Sequence, residues 1–180
     1  MLYVAGVLFW LSLVAAQRPK TAPFRERREV GDRLKTWEHE CPGDGVIKEI
    51  YLDRGEIGSD RPLRFTCSEA MDVYRCENSG YVNKLTDSFH YKCPSDKVLT
   101  GIKSLYNPHA NDHRFSFQCC KVRRSRPTNC RRSEMYDLSE DVRLRVPRGW
   151  AVTEVHSFYK RRAEGRKWRF EICETLKPSR

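Results

Sequence analysis

Apolar and polar residues alternate along most of the chain, and the alternation recurs in three registers. Counting from Cys41-Pro42, apolar residues stand five, six and nine positions on, at Val46, Ile47 and Ile50. Leu63, Phe65 and Cys67 follow at twenty-two, twenty-four and twenty-six. From Cys93-Pro94 the same offsets give Val98, Leu99, Ile102, Phe115, Phe117 and Cys119. From Val146-Pro147 they give Ala151, Val152, Val155, Trp168, Phe170 and Ile172. A polar dipeptide stands at offsets nineteen and twenty in every copy: Asp60-Arg61, Asp112-His113 and Gly165-Arg166. The starts are separated by 52 and 53 residues, the signature of one supersecondary unit used three times.

Period-two alternation of β-branched and aromatic residues predicts half-buried strands. The first unit, 37–67, supplies strands over 46–52 and 63–67. The second, 89–120, opens on Phe89 and Tyr91, continues over 98–106 and closes over 114–122. The third, 142–173, uses Val142, Leu144 and Val146, then 151–159 and 167–176. Residues 68–88 bridge the first two units, with a turn predicted at Asn78-Ser79-Gly80. No segment carries a sustained helical period with caps, so the expected class is all-β. Three copies most simply share one core about a pseudo-threefold axis. A β-prism and a trefoil-like barrel both satisfy that pattern.

The segment before the first unit changes the compartment. Residues 2–16 form an uncharged apolar run ending in Val14-Ala15-Ala16, so 1–16 reads as a secretory signal peptide. The run is too short for an ordinary membrane-spanning helix. Residues 17–35 are polar, basic and poor in apolar side chains, and read as a flexible arm. Arg25-Glu26-Arg27-Arg28 within it fits a proprotein-convertase pattern, and whether it is cut is left open. Residues 36–176 form the single folded domain.

Secretion makes the eight cysteines a disulfide framework. Val146 and Ile172 occupy the offsets of Cys41 and Cys67, and both members of that pair turned aliphatic together, which favours Cys41–Cys67. Cys93–Cys119 follows by the same geometry. Cys120 and Cys173 share an offset on the opposite strand face, and Cys76 and Cys130 lie at similar distances before their unit starts, which favours Cys76–Cys120 and Cys130–Cys173. A crossed arrangement, Cys76–Cys119 with Cys93–Cys120, remains open. Cysteine and histidine spacings give no zinc signature, so neither metal nor cofactor is expected. His39, His90 and His156 are expected to sit singly on strands without chemistry.

The formal charge of +10 favours polyanionic partners. In a secreted chain these are sulfated glycans, proteoglycans and anionic cell surfaces rather than nucleic acid. Two basic clusters are the candidate glycosaminoglycan site. The first holds Lys121, Arg123, Arg124, Arg126, Arg131 and Arg132; the second holds Lys160, Arg161, Arg162, Arg166, Lys167 and Arg169. Arginine dominates, and its planar fork suits bidentate contact with sulfate and carboxylate. Their places near the ends of equivalent strands allow one joined patch. No nucleophile elbow, zinc-protease signature or phosphate loop is present, and catalysis is not expected.

The closing motifs also carry a family resemblance. Asp60-Arg61-Pro62-Leu63-Arg64-Phe65-Thr66-Cys67 leads, and Asp112-His113-Arg114-Phe115-Ser116-Phe117-Gln118-Cys119-Cys120 repeats it. Gly165-Arg166-Lys167-Trp168-Arg169-Phe170-Glu171-Ile172-Cys173 closes the chain's pattern. With the Cys-Pro openings and the doubled cysteine, these resemble the Asp-Arg-x-Trp-x-Phe-x-Cys repeat of the dermatopontin family, over 37–173. Trp168 alone keeps the family's tryptophan, Gly165 replaces the aspartate and His113 the arginine. The family's acidic, tyrosine-rich arm is replaced by a basic one. The resemblance implies a non-enzymatic, secreted extracellular-matrix protein. It further implies binding of dermatan sulfate proteoglycans such as decorin, a part in collagen-matrix assembly, and support of cell adhesion. Invertebrate members include agglutinins, which makes a lectin-like role in cell recognition or defence the alternative. Asp60, Arg61, Asp112, His113, Arg166 and Trp168 are the repeat-motif positions, with a structural role expected for the Asp-Arg pairs.

Overall fold

The computed structural model describes residues 29–30, 36–53, 63–68, 71–94, 96–136, 141–160 and 166–175. The signal peptide expected over 1–16, most of the 17–35 arm with its Arg25–Arg28 site, and Asp60, Arg61, Arg161 and Arg162 lie outside the described residues. The described residues form strands and turns without a helix. The strands are β1 Glu29–Val30, β2 Trp37–Glu40, β3 Ile47–Leu52, β4 Leu63–Cys67, β5 Val73–Tyr81 and β6 Phe89–Lys92. They continue with β7 Lys97–Asn107, β8 Asp112–Val122, β9 Thr128–Arg132, β10 Val142–Arg145, β11 Trp150–Tyr159 and β12 Arg166–Glu174.

These strands build three four-stranded antiparallel sheets: β1-β4-β3-β10, β2-β7-β8-β5 and β6-β11-β12-β9. At the centre of each lies a sequential hairpin, β3–β4, β7–β8 or β11–β12. The strand beside each hairpin's first strand comes from elsewhere in the sequence. β2 precedes the first hairpin but pairs with β7 of the second. β6 precedes the second but pairs with β11 of the third, and β10 precedes the third but returns to β3 of the first. Each central hairpin is therefore completed by a strand from outside its own local sequence.

A β-bulge marks every junction. The hairpin registers shift between Ile47 and Glu49, Leu99 and Gly101, and Val152 and Glu154, so Lys48, Thr100 and Thr153 are the extra residues. Their carbonyls are turned to accept the amides of Val146 (2.8 Å), Cys41 (2.8 Å) and Cys93 (2.9 Å) respectively. The bulge thus satisfies the first residue after each exchanged strand.

Apolar alternation fills the interior. Ile47, Ile50, Leu99, Ile102, Val152 and Val155 belong to one cluster with Phe65, Phe115, Phe117, Trp168 and Phe170. Val46, Val98 and Ala151, at one common offset, form a second cluster with Val122. β3, β7 and β11 each contact the other two. Trp168 packs edge-on to Phe115 (5.1 Å between centroids) and Phe89 (5.9 Å), bridging the second and third sheets. Burying one such large side chain stabilises the fold by roughly 1.5–3 kcal/mol.

All eight cysteines are paired, as Cys41–Cys67, Cys76–Cys120, Cys93–Cys119 and Cys130–Cys173, not in the crossed arrangement. Two of these link a unit's opening residue to its closing strand. The other two attach the exposed outer strands β5 and β9. Asn78-Ser79-Gly80 does not form the expected turn but lies inside β5, where the register shifts between Asn78 and Tyr81. Gly80 supplies a φ of 67° there, and Ser79 Oγ accepts the amide of Phe117 at 2.9 Å. The turn-forming residues make a bulge because β8 continues past them as a pairing template. Glu29–Val30, within the stretch expected as an arm, pairs with β4 as β1.

Arg166 is a core residue, which removes it from the glycosaminoglycan candidates. Its side chain has no solvent exposure, and its guanidinium is engaged in two parallel bonds by Asp112 at 2.9 and 2.7 Å. It also donates to the carbonyl of Asp87 at 2.9 Å and lies over the rings of Phe89, Phe115 and Tyr159. Asp112 comes from β8 and Arg166 from β12, so the motif's acid and base meet between sheets. Beside them His113 is buried on Ser104 Oγ at 2.6 Å. Asp112→Ala would leave the Arg166 charge buried without its acid, and should cost about 3–5 kcal/mol in urea unfolding with disulfides intact. The double change Asp112→Ala with Arg166→Met should recover most of that loss; equal losses in the single and double variants would contradict the account.

Candidate functional site

The first basic cluster runs from the end of β8 through a turn into β9. Lys121 is half-buried, whereas Arg123, Arg124, Arg126, Arg131 and Arg132 are exposed. Arg124 takes a φ of 57° in the turn that follows β8. Several carry local partners. Arg123 pairs with Asp72 at 2.9 Å and lies over Tyr74, Arg126 meets Asp96 at 3.5 Å, and Arg131 stacks on Trp150 at 4.7 Å. Arg132 reaches Glu171 at 3.3 Å and Glu154 at 3.5 Å.

The described members of the second cluster lie just after β11 and on β12. Lys160 is exposed, and Lys167 and Arg169 are half-buried on β12. Arg132, opposite Glu171, stands diagonally from Arg169, so the clusters meet there on the third sheet. Arg123, Arg124 and Arg126 stand apart, beyond the end of β8 in the second sheet.

The outer faces of the three sheets repeat one grid. The exchanged strand contributes two residues, the hairpin's first strand two and its second strand two, always at the same offsets. In the first sheet the rows are Arg145–Glu49–Thr66 and Arg143–Tyr51–Arg64. In the third they are Lys92–Glu154–Glu171 and His90–His156–Arg169. In the second they are Glu40–Gly101–Gln118 and Glu38–Lys103–Ser116.

Carboxylates follow the bulge in the first and third sheets and are nearly buried. The Tyr51 hydroxyl donates to Glu49 and holds its carboxyl below the ordinary range; burial opposes this and Arg143, at 2.8 Å, adds to it. Burial would raise Glu154, but hydrogen bonds from His156 and Lys92 and the nearby charges of His90 and Lys92 bring it to about 2. Lys92 is raised in turn by its bonds to Glu171 and Glu154.

In the second sheet the corresponding position is Gly101. A Cβ there would stand 3.0 Å from Glu40 Cγ, 3.1 Å from Gln118 Cβ and 3.2 Å from the His39 carbonyl, so the strands close over a glycine. A groove of about 250 Å³ runs beside it, lined by Glu38, Glu40, Lys103, Gln118, Asn78 and Tyr81 among others. Thr100 Oγ1 donates to Gln118 Oε1 at 2.8 Å and orients it, and Lys103 holds Glu38 at 2.9 Å. Arg114 lies over the exposed Tyr81 ring at 4.5 Å. Sequence reasoning missed this groove. Comparing polar residues across the units at the offsets used for apolar ones would have exposed Glu49, Gly101 and Glu154 as one column. His90 and His156, expected to sit singly, stack on each other with centroids 4.0 Å apart. His39 packs instead against Phe65 and the Cys67 sulfur.

The family model described as Dermatopontin matches residues 32–177. The chain is similar to a protein named Dermatopontin from Biomphalaria glabrata, with 32% identity over 139 residues that cover 77% of this chain and 94% of that one. It is also similar to a Hemagglutinin/amebocyte aggregation factor from Limulus polyphemus, 25% identical over 74% of this chain and 80% of the other. No solved structure matches.

The Glu49 environment sets a pH dependence. A carboxyl held below its ordinary value of 4.5 contributes stability that is present above that value and lost as pH falls through the folded value. Glu49→Gln should therefore lower stability at neutral pH and flatten the loss below about pH 4.5, read by denaturant titration at a series of pH values. An acid limb of unchanged steepness would show that Glu49 does not contribute to it.

Proposed function

Because the chain belongs to the dermatopontin family, we propose that it is a secreted, non-enzymatic protein of the extracellular matrix that captures sulfated glycosaminoglycan. The observation that carries the reading is the run of exposed arginines from Arg123 to Arg132, fixed at its two ends by β8 and by β9 with its Cys130–Cys173 link. The pairs to Asp72 and Asp96 do not disable it. Exposed ion pairs are worth only about 0–1 kcal/mol, so a sulfate can share or displace them. A polyanion that contacts several arginines at once gains by releasing its condensed counterions to the solvent.

On this reading Lys121, Arg131, Arg132, Lys160, Lys167 and Arg169 extend the contact, together with Arg161 and Arg162, which follow Lys160 in the sequence. The partners are proteoglycans of the decorin kind, the collagen matrix and the cell surface, with adhesion or matrix assembly as the outcome. We also take the three sheets as copies about an approximate threefold axis in a prism-like arrangement, a view supported by the cyclic exchange of β2, β6 and β10. Superposition of the sheets in a crystal structure by successive one-third turns would test it, and unrelated rotations would reject it.

A second reading, lectin-like agglutination, is favoured by the Gly101 groove. Carboxylates, amides and an exposed tyrosine ring suit a neutral sugar, and the Limulus relative is named as a hemagglutinin. Salt separates the two readings. Sulfated-glycan binding should be strong on immobilised heparin and dermatan sulfate above physiological salt, and should fall sharply when Arg123, Arg124 and Arg126 become Ala. Elution below physiological salt without a mutant effect would sink that reading. Salt-insensitive agglutination, inhibited by a simple sugar and lost in Tyr81→Ala, would establish the second in its place.

A further inference from the structure

We propose that His90, His156 and Glu154 form a binding site for a divalent transition-metal ion of the zinc type on the outer face of the third sheet. The placement follows from register. His90 on β6 and His156 on β11 are directly paired, and both side chains lie on the outer face. Their rings are parallel within 7°, and both Nε2 atoms approach one carboxylate oxygen. His90 Nε2 lies 2.9 Å from Glu154 Oε1, and His156 Nε2 is in contact with the same atom. The second oxygen of Glu154 is occupied by Lys92 Nζ at 3.1 Å, and Oε1 faces the imidazoles with Arg132 at 3.5 Å.

The three donor atoms lie within 4.8 Å of one another. Zinc bonds of about 2.0–2.2 Å to nitrogen and oxygen, in tetrahedral geometry, require donors roughly 3.3 Å apart. Both contacts with Oε1 are shorter than that, so an ion would part both rings slightly from the carboxylate: the His90 side chain is 52% exposed and His156 15%, against 1% for Glu154. The carboxylate is thus a fixed, desolvated anchor and His90 an adjustable rim. Two imidazoles and one carboxylate are an established donor set for zinc, and leave further positions for water or an anionic oxygen.

The fold does not impose this set. At the equivalent positions the first sheet places Arg143 and Tyr51 beside Glu49, and the second places Glu38 and Lys103 beside Gly101. Neither offers two nitrogen donors with a carboxylate. The groups that face the site from the neighbouring strands are Lys92 on β6, Glu171 and Arg169 on β12, and Arg132 on β9. Lys92 and Arg132 oppose a dication and Glu171 favours it. Affinity is therefore moderate, and suits an ion that exchanges with an extracellular pool.

The test uses the full disulfide-bonded chain, with Zn²⁺ titrated by calorimetry at neutral pH in a non-coordinating buffer and Co²⁺ absorption as a second readout. One ion per chain is expected, weakened at least about tenfold by His90→Ala and by His156→Ala. His90 is exposed, so its variant keeps the fold and isolates the ligand effect. Absence of binding at neutral pH, or binding that His90→Ala leaves unchanged, would overturn the proposal.

Discussion

The exchange of strands between hairpins is the constraint from which the rest of the structure follows. A two-stranded hairpin in water is marginal, and each hairpin here becomes a sheet only when a strand from elsewhere joins it. The bulge carbonyls of Lys48, Thr100 and Thr153 fix those joins by accepting the amide that follows each incoming strand. An amide and a carbonyl buried at such a junction without each other would cost about 1–3 kcal/mol. Geometry and satisfaction of the backbone therefore select the same connection. Most of the pairing is distant in sequence, so the chain-entropy cost is large. Disulfides spanning 26, 43 or 44 residues answer that cost, each by roughly 3–4 kcal/mol in the chain-entropy account.

Asp112 and Arg166 apply the same logic to charge. Removing both ions from water is expensive, and the pair is tolerated because its hydrogen-bonding capacity is nearly filled. Arg166 bonds Asp112 twice and the Asp87 carbonyl once, while three aromatic rings surround its guanidinium. A sheet docked out of register would strand one of these charges. Hydrophobic packing of Trp168 on Phe115 accepts small errors of register that this bidentate contact does not.

The apolar column of the sequence carried the core almost residue for residue, from Ile47 to Phe170, because period-two burial leaves a direct mark on composition. The outer strands β5 and β9 left no such mark. Their side chains are mostly exposed, and a covalent link with a continuous backbone partner holds them in place, so their sequences need no alternation. Arg166 was misread for a related reason. A run of basic residues suggests a solvated surface, but alternation on β12 turns Arg166 inward while Lys167 and Arg169 stay half-buried, and Arg166 shares the inner face with Trp168 and Phe170. His90 and His156 are 66 positions apart and become neighbours only through strand exchange, so no local spacing announces them.

The division between a shared interior and three unlike exteriors explains how one scaffold holds several chemistries. Inward positions must fit a common core, and a change there is felt by the neighbouring sheets through β3, β7 and β11. Outward positions answer only to their own grid. A carboxylate after the bulge demands a base beside it, met by Arg143 and Arg145 in the first sheet and Lys92 in the third. Replacing that carboxylate with Gly101 removes the demand, and Glu40 can stand where the base would be. The groove of the second sheet and the paired histidines of the third are two solutions at one set of positions. Recognition can thus diverge face by face while the hydrogen bonds that close the sheets stay as they are.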